Sequence, residues 1–343
     1  MVTRIHPHRT DVARPPSGVQ SLFIGVDIGG TNSEIGFVDG EGRCLRKIVI
    51  PTLPYHPFRR FIDEFVAQIR AGLEGLSNYT CVGMGVAAPG ANSLDGRIRD
   101  PTNFGWPDVD LARVLRDFFP FPIRVANDAT AAAIGEKKHG AAKNWRNFIM
   151  ITLGTGLGGG IFVDDQPLIG HRGFAGELGH TPAEPGDRLC GCGRYGCLET
   201  YASATGLRRT MLALTAKYGD RSGRFQDVSY NELSARAIWE AACAGDPPAL
   251  EAFEITGSVL GRKMAEWVPI FDPEAFVLFG GLTRAGSFLL EPVRKAFRAS
   301  LANVFSGDIP IVLSQVPESE AAILGACHIP EYLPESLSIK EEA

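Results

Sequence analysis

An α/β architecture of two related lobes is encoded in these 343 residues, and three observations predict it. Apolar strand-like runs alternate with amphipathic helical stretches from Ser21 to Gly140, the pattern of layered β and α elements. The segment Asn147 to Asp164, NFIMITLGTGLGGGIFVD, lays over Leu22 to Asp39 at an offset of 125 residues: Phe23 meets Phe148, Gly29 meets Gly154, and Phe37-Val38-Asp39 meets Phe162-Val163-Asp164. A repeat so widely spaced is no solenoid and marks two halves of like build. The length, with 45% hydrophobic and 21% charged residues, also exceeds what one compact core usually absorbs.

Taken in order, Ser21 to Asp39 reads as a β-hairpin, two apolar runs joined by a glycine turn. Phe58 to Leu76 sets Phe61, Ile62, Phe65, Ile69 and Leu73 at helical spacing, and Val82 to Ala87 is a buried strand closed by Pro89-Gly90. Leu111 to Phe119 predicts a short helix, Ile123 to Ala126 a strand, and Ala129 to Gly140 an alanine-rich helix. Beyond the second hairpin and a loop-rich insert, helices are expected over Glu199 to Tyr218, Tyr230 to Ala244 and Ala249 to Val268. Ala275 to Phe279 is a strand followed by Gly280-Gly281, and Ala321 to Cys327 opens a terminal helix. Residues 1–20 are read as a disordered tail, and Ser336 to Ala343 as a charged, frayed end.

Composition excludes several classes. A net charge of −5 and a pI near 5.9 give no electrostatic footprint for nucleic acid. No run of about eighteen apolar residues exists to cross a bilayer, and the first twenty residues lack the apolar segment of a secretory signal, so a cytoplasmic protein is expected. Seven cysteines is an odd count. Cys190, Cys192 and Cys197 crowd together, whereas Cys44, Cys81, Cys243 and Cys327 stand alone in apolar surroundings and read as core residues. That is a metal site in a reducing compartment, not a disulfide framework.

The chemistry concentrates at a few places. Two glycine turns between strands expose backbone N–H groups suited to phosphate, and Asp27 beside the first supplies a carboxylate for hydrated Mg²⁺. Neither is a P-loop, and GTGLGGG leads into a strand where a dinucleotide fingerprint needs a helix. Asn127-Asp128 follows a strand and precedes a helix, where ligands gather in α/β sheets; Asp128 either caps that helix or acts as general base toward a hydroxyl. His180 with Cys190, Cys192 and Cys197 makes a closed set of one imidazole and three thiolates, a structural Zn²⁺ site. Glu177 and Glu199 flank that loop as sugar-gripping carboxylates or as ordinary surface glutamates. Asn103 and Trp106 in TNFGW offer an amide and an aromatic plate, or a packed core tryptophan; His139 and His171 read as ordinary polar residues.

With these residues in view, the chain resembles the ROK family of repressors and sugar kinases, within the actin-like, hexokinase-type ATPase fold. The likeness spans Leu22 to Ala326. Its most specific part is GFAGELGHTPAEPGDRLCGCGRYGCLETYAS, from Gly173 to Ser203, with DIGGTN, AAPG, NDATAAAIGE and GTGLGGG in the family's order. The resemblance implies two actin-like (ribonuclease H-like) lobes with a ligand cleft between them: one over 21–128, completed by a C-terminal helix at 319–334, and one over 129–318 with a zinc loop at 177–199. It implies that Asp27, Gly29, Gly30 and Thr31 form a first phosphate and magnesium element, Gly154, Thr155 and Gly156 a second, and that Gly280 and Gly281 lie against adenosine. Asp128 would be the catalytic base, and Gly90, Asn103, Asn127, Glu177, His180 and Glu199 would contact the sugar. His180 would bind zinc through one ring nitrogen and face a hydroxyl with the other. The implied reaction is transfer of the γ-phosphoryl of MgATP to the C6 hydroxyl of a hexose. Glucose is the first choice; N-acetylglucosamine, N-acetylmannosamine and fructose, or a non-catalytic sugar sensor, are the alternatives. A homodimer is expected, and ATP against polyphosphate stays open. Only about twenty residues precede the first strand, without the helical period of a helix-turn-helix, so DNA binding is not expected.

Overall fold

The structure is a computed structural model that describes residues 15–16, 18–52, 58–99, 105–219, 225–226, 228–305 and 307–333. The tail expected at 1–20 lies outside the described residues except at 15, 16 and 18–20, and so do Asn103 and the C-terminal end from 334.

In chain order the elements begin β1 (Gln20–Ile28), β2 (Asn32–Asp39), β3 (Cys44–Pro51), α1 (Phe58–Leu73), β4 (Tyr79–Ala87), β5 (Arg97–Ile98) and β6 (Val109–Asp110). They continue with α2 (Leu111–Arg116), β7 (Ile123–Ala126), α3 (Asp128–His139), β8 (Phe148–Leu153), β9 (Leu157–Val163), β10 (Gln166–Pro167) and α4 (Ala204–Tyr218). The rest are α5 (Ala235–Cys243), α6 (Pro247–Phe271), β11 (Ala275–Phe279), α7 (Ser287–Ser300), β12 (Ile311–Leu313), α8 (Glu318–Cys327) and α9 (Ile329–Tyr332).

The described residues of Met1–Asn144, Gln166–Ala175 and Gln315–Ala343 form one compact unit, and those of Trp145–Asp165 and Gly176–Ser314 a second. In the first, the sheet order is β3-β2-β1-β4-β7, antiparallel from β3 to β1 and parallel from β1 to β7. Side chains alternate across it. Ile24, Val26, Ile35, Phe37, Met84 and Val86 join Phe61, Phe65 and Ile69 of α1 in one buried cluster. On the other face the strands carry Gly25, Gly36 and Gly85, which let α8 lie directly on the backbone: a Cβ at Gly85 would sit 1.8 Å from the Ala326 carbonyl oxygen. Helix α3, assigned by the sequence to the second lobe, belongs to this first unit and packs against α8.

The second unit's sheet runs β10-β9-β8-β11-β12, with β8 and β9 antiparallel and β8, β11 and β12 parallel. Its strand order matches that of the first sheet, third-second-first-fourth-fifth, so the repeat seen in the text is a repeat of topology. The copies differ at the turn: Ile28 pairs with Ser33 across Gly29 to Asn32, whereas Leu153 pairs with Leu157 across Gly154 to Gly156.

Several boundaries shift for local reasons. The helix expected from Glu199 starts at Ala204, because Ser203 caps it by accepting from the Gly206 N–H, and Leu198–Thr200 forms a separate 3-10 turn. Helix α5 likewise begins after its cap Ser234. Strands β3 and β12 and helix α7 were not expected: β3 is an edge strand with Arg46 and Lys47 among its apolar residues, and α7 contains Pro292. Of the lone cysteines, Cys327 is buried, Cys44 and Cys81 are half-buried, and Cys243 is exposed on α5, not in a core. Trp106 is buried against Phe58 and Phe61, with ring centroids 5.3 and 4.7 Å away, so the packed-core alternative holds and it offers no plate to a sugar.

Candidate active site

In the first unit the parallel strands end level with one another. Asp27 of β1 is in register with Ala87 of β4, and Ala87 with Ala126 of β7. Asp27, the turn Gly29-Gly30-Thr31, Gly90 and the pair Asn127-Asp128 therefore share one carboxyl edge. Gly29 donates its N–H to the Asn32 carbonyl at 3.1 Å and Thr31 accepts from the Thr52 N–H at 2.8 Å, which pins the turn. Gly90 adopts φ +69° and its carbonyl accepts from the Arg99 N–H at 3.0 Å.

Asn127, not Asp128, is the N-cap of α3; its Oδ1 accepts from the Ala129 N–H at 2.9 Å. Asp128 is the first helical residue, and its Oδ1 lies 2.8 Å from the same N–H. The Asp128 side chain is open to solvent, yet the surrounding protein still desolvates its carboxyl and raises its pKa against the opposing pull of that N–H. It is both reachable and poised upward. Asp27 is raised to about 7, first by burial and then by the negative charges of Asp128 and Glu34. Glu34, directly across from Asp27 in the hairpin, holds Lys47 at 2.8 Å. Three carboxylates crowding one edge repel each other, and a divalent cation relieves such repulsion; the donor set thus fits Mg²⁺.

In the second unit Thr152 of β8 is in register with Phe279 of β11, so Gly154-Thr155-Gly156 and Gly280-Gly281 leave the sheet side by side. Gly280 is held at φ +102°, where a Cβ would meet the Leu153 carbonyl oxygen at 2.7 Å; only glycine fits there without strain. The β8–β9 turn rests on the start of α4, with the Ala204 N–H donating to the Gly154 carbonyl at 2.9 Å and the Thr205 N–H to the Thr155 carbonyl at 3.4 Å. The positive end of the helix dipole thus lies under an exposed glycine turn, favourable to an anion.

The same unit gathers His180, Cys190, Cys192 and Cys197, whose ligand atoms lie within 4.8 Å of one another. The Cys190 Sγ to His180 Nδ1 separation is 3.7 Å and the Cys192 to Cys197 Sγ separation 3.6 Å. A tetrahedron with Zn–S bonds of about 2.3 Å has edges close to these, so the residues fit a closed zinc site. Nδ1 of His180 faces the thiols, while Nε2 points toward Glu177 Oε2 at 4.0 Å. Glu199 Oε1 accepts from the Cys190 thiol at 2.9 Å and lies 3.8 Å from His180 Nδ1, and its Oε2 is where a Cβ on Gly156 would collide. Glu177, His180, Glu199 and the second glycine turn are thereby brought into one neighbourhood.

The sequence reading missed Glu34 and Lys47, although the hairpin register alone sets Glu34 opposite Asp27. It also gave no role to Arg188 and Tyr201, although both lie within the quoted run from Gly173 to Ser203. His139, read as an ordinary polar residue, sits with Nε2 2.8 Å from Nε2 of the buried His328.

A model of the ROK family matches residues 23–331. The glucokinase of Halalkalibacterium halodurans is 35% identical over 281 residues, 81% of this chain and 85% of that protein. A ROK family glucokinase from Streptomyces griseus, solved with glucose and AMPPNP, is similar with a TM-score of 0.72 and 33% identity, over 90% of this chain and 98% of that one. A ROK family transcriptional regulator, a homologue of the E. coli MLC protein, superimposes with a TM-score of 0.80 at 26% identity, over 92% of this chain and 78% of that one. The matched span runs from the first strand to the last helix, through both glycine turns and the cysteine loop, and the chain belongs to the ROK family.

Proposed function

We propose that the chain is an ATP-dependent hexose kinase that phosphorylates the C6 hydroxyl of glucose. The observation that carries this reading is the shared edge of Asp27, Gly90 and Asp128, with an accessible carboxyl of raised pKa at its end. Likeness to glucokinases, one solved with glucose and a nucleotide analogue, supports it.

In this reading Asp128 accepts the proton of the sugar hydroxyl as the oxygen attacks phosphorus. Asn127 fixes the start of α3 and so the aim of Asp128. Gly90, Asn103, Asn127, Glu177, His180 and Glu199 hold the sugar's other hydroxyls. Gly29, Gly30 and Thr31, with Gly154, Thr155 and Gly156, present backbone donors to the phosphates, and Gly280 and Gly281 leave room for adenosine. Phosphoryl transfer needs mainly alignment and charge stabilisation, which these donors supply. Asp27 would hold hydrated Mg²⁺, which neutralises phosphate charge when bound. His180, Cys190, Cys192 and Cys197 would hold Zn²⁺, whose contribution is structural: it stiffens the loop that carries the sugar contacts.

The likeness to a transcriptional regulator favours a second reading, a sugar-sensing body without turnover. Formation of sugar phosphate, measured with glucose, N-acetylglucosamine, N-acetylmannosamine and fructose and with ATP or polyphosphate as donor, decides among them. Glucose with ATP is expected to give the highest kcat/KM. A far higher value for an acetamido sugar overturns the sugar assignment, and sugar binding without turnover overturns the kinase.

A further inference from the structure

Behind the cysteine loop lies a tie that no substrate touches in the proposed reaction. Nη1 of Arg188 donates to the Thr200 carbonyl at 2.8 Å, to Thr210 Oγ1 at 3.0 Å and to the Gly206 carbonyl at 3.2 Å. Its guanidinium carbon lies 4.3 Å from the ring centre of Tyr201, a fully buried side chain. The neighbouring Asp187 closes a second clasp: the Tyr201 hydroxyl donates to Asp187 Oδ1 at 2.5 Å and accepts from the Asp187 N–H at 2.9 Å. Burial lowers the Arg188 pKa, yet guanidinium groups stay charged, so the cation is kept desolvated against carbonyl oxygens.

What this tie joins gives it meaning. Thr200 and Tyr201 follow Glu199 directly. Ser203 Oγ donates to the Glu199 carbonyl at 2.6 Å and accepts from the Gly206 N–H at 3.0 Å. Gly206 and Thr210 are in the first turns of α4, the helix whose leading N–H groups hold Gly154 and Thr155. The backbone carbonyl of Arg188 accepts from Gly196 at 2.9 Å, beside Cys197. One guanidinium therefore spans the arm of the cysteine loop, the turn bearing Glu199 and the helix under the second glycine turn.

We propose that Arg188, clamped by Tyr201, is a positioning residue for phosphoryl transfer: it fixes the Glu199 carboxylate relative to the Gly154–Gly156 turn. The proposal rests on the hexose-kinase reading. Arg188 acts through Glu199, so removing the tie disturbs alignment more than ground-state binding.

The test uses the full-length, zinc-loaded protein and the variants Arg188→Met, Arg188→Lys, Tyr201→Phe and Glu199→Gln, with Arg188→Met/Glu199→Gln as the double variant. Arg188→Met is expected to lower kcat about 10- to 100-fold while KM for ATP changes less than about threefold. Arg188→Lys, which keeps a cation near the three acceptors, should recover part of that loss, and Tyr201→Phe should show a smaller loss. The double variant should be little worse than Glu199→Gln alone, because the two residues act in series. Additive losses, or an Arg188→Met variant with normal kcat, overturn the positioning role. Should Arg188→Met not fold, the Lys and Phe variants decide: wild-type kcat in both overturns it. A wild-type protein that forms no ADP with any hexose sinks the kinase reading, and the positioning role with it; an active wild type with an indifferent Arg188 sinks the positioning role alone.

Discussion

Asp128 and Asp27 differ in what surrounds them, and that difference assigns them different work. Asp128 is accessible with one backbone donor, which suits the base role proposed for it; on that proposal Asp128→Ala should lower kcat by about 10²- to 10⁴-fold with sugar binding retained, as read by calorimetry and ADP release. Asp27 is half-buried, with a pKa near 7 against an ordinary 3.8. A carboxyl whose folded pKa is raised holds its proton more tightly when folded, so the ligand-free protein loses stability as pH climbs from about 4 to about 7. The penalty is full above that, on the order of 4 kcal/mol. Asp27→Asn should therefore melt higher than wild type at pH 8, match it near pH 4, and lose activity with MgATP; equal melting temperatures at pH 8 would show that Asp27 carries no such strain. The sequence made Asp27 and Asp128 visible because each stands where a strand ends. It did not show that Asn127 takes the cap, since two adjacent residues both had cap-forming side chains.

Glycine turns and the cysteine loop are the elements on which the account leans. Gly280 is fixed at φ +102° against the Leu153 carbonyl, so Gly280→Ala should cost about 1 to 3 kcal/mol and raise KM for ATP more than KM for glucose. A thermal melt with both titrations checks it. The zinc site proposed for the cysteine loop predicts about one equivalent of zinc per chain by elemental analysis. Because Cys192 is exposed, Cys192→Ser removes a ligand without disturbing a core; it should lose zinc and lower the melting temperature. An unchanged melt with no zinc in the wild type would leave the loop without its metal. Both hairpins were legible because a glycine turn between apolar runs permits few alternatives. Strand β3 was not, since Arg46 and Lys47 interrupt its apolar residues at a solvent-facing edge, and α7 was hidden by Pro292.

At the scale of the whole chain, the offset between Phe23 and Phe148 anticipated two related lobes, each opening with a glycine-turn hairpin; the structure adds that their two sheets share one strand order. Family membership was equally readable, because DIGGTN, AAPG, NDATAAAIGE, GTGLGGG and the cysteine loop stand in one order along the chain, and the family model matches residues 23–331. The assignment of α3 to the second lobe was wrong, because the alternation of elements does not say which sheet a connecting helix joins; its contacts with α8 decide that. The choice of glucose among the hexoses rested on resemblance alone, since an acetamido group is accepted or refused by loop side chains that follow no period. The most direct test of the account is the product formed from glucose and ATP by wild type and by Asp128→Ala, identified by phosphorus and carbon NMR. Glucose phosphorylated at C6 by the wild type, with only a trace from the variant, is the predicted result; no phosphorylated sugar from the wild type, or equal yields from both, would contradict it.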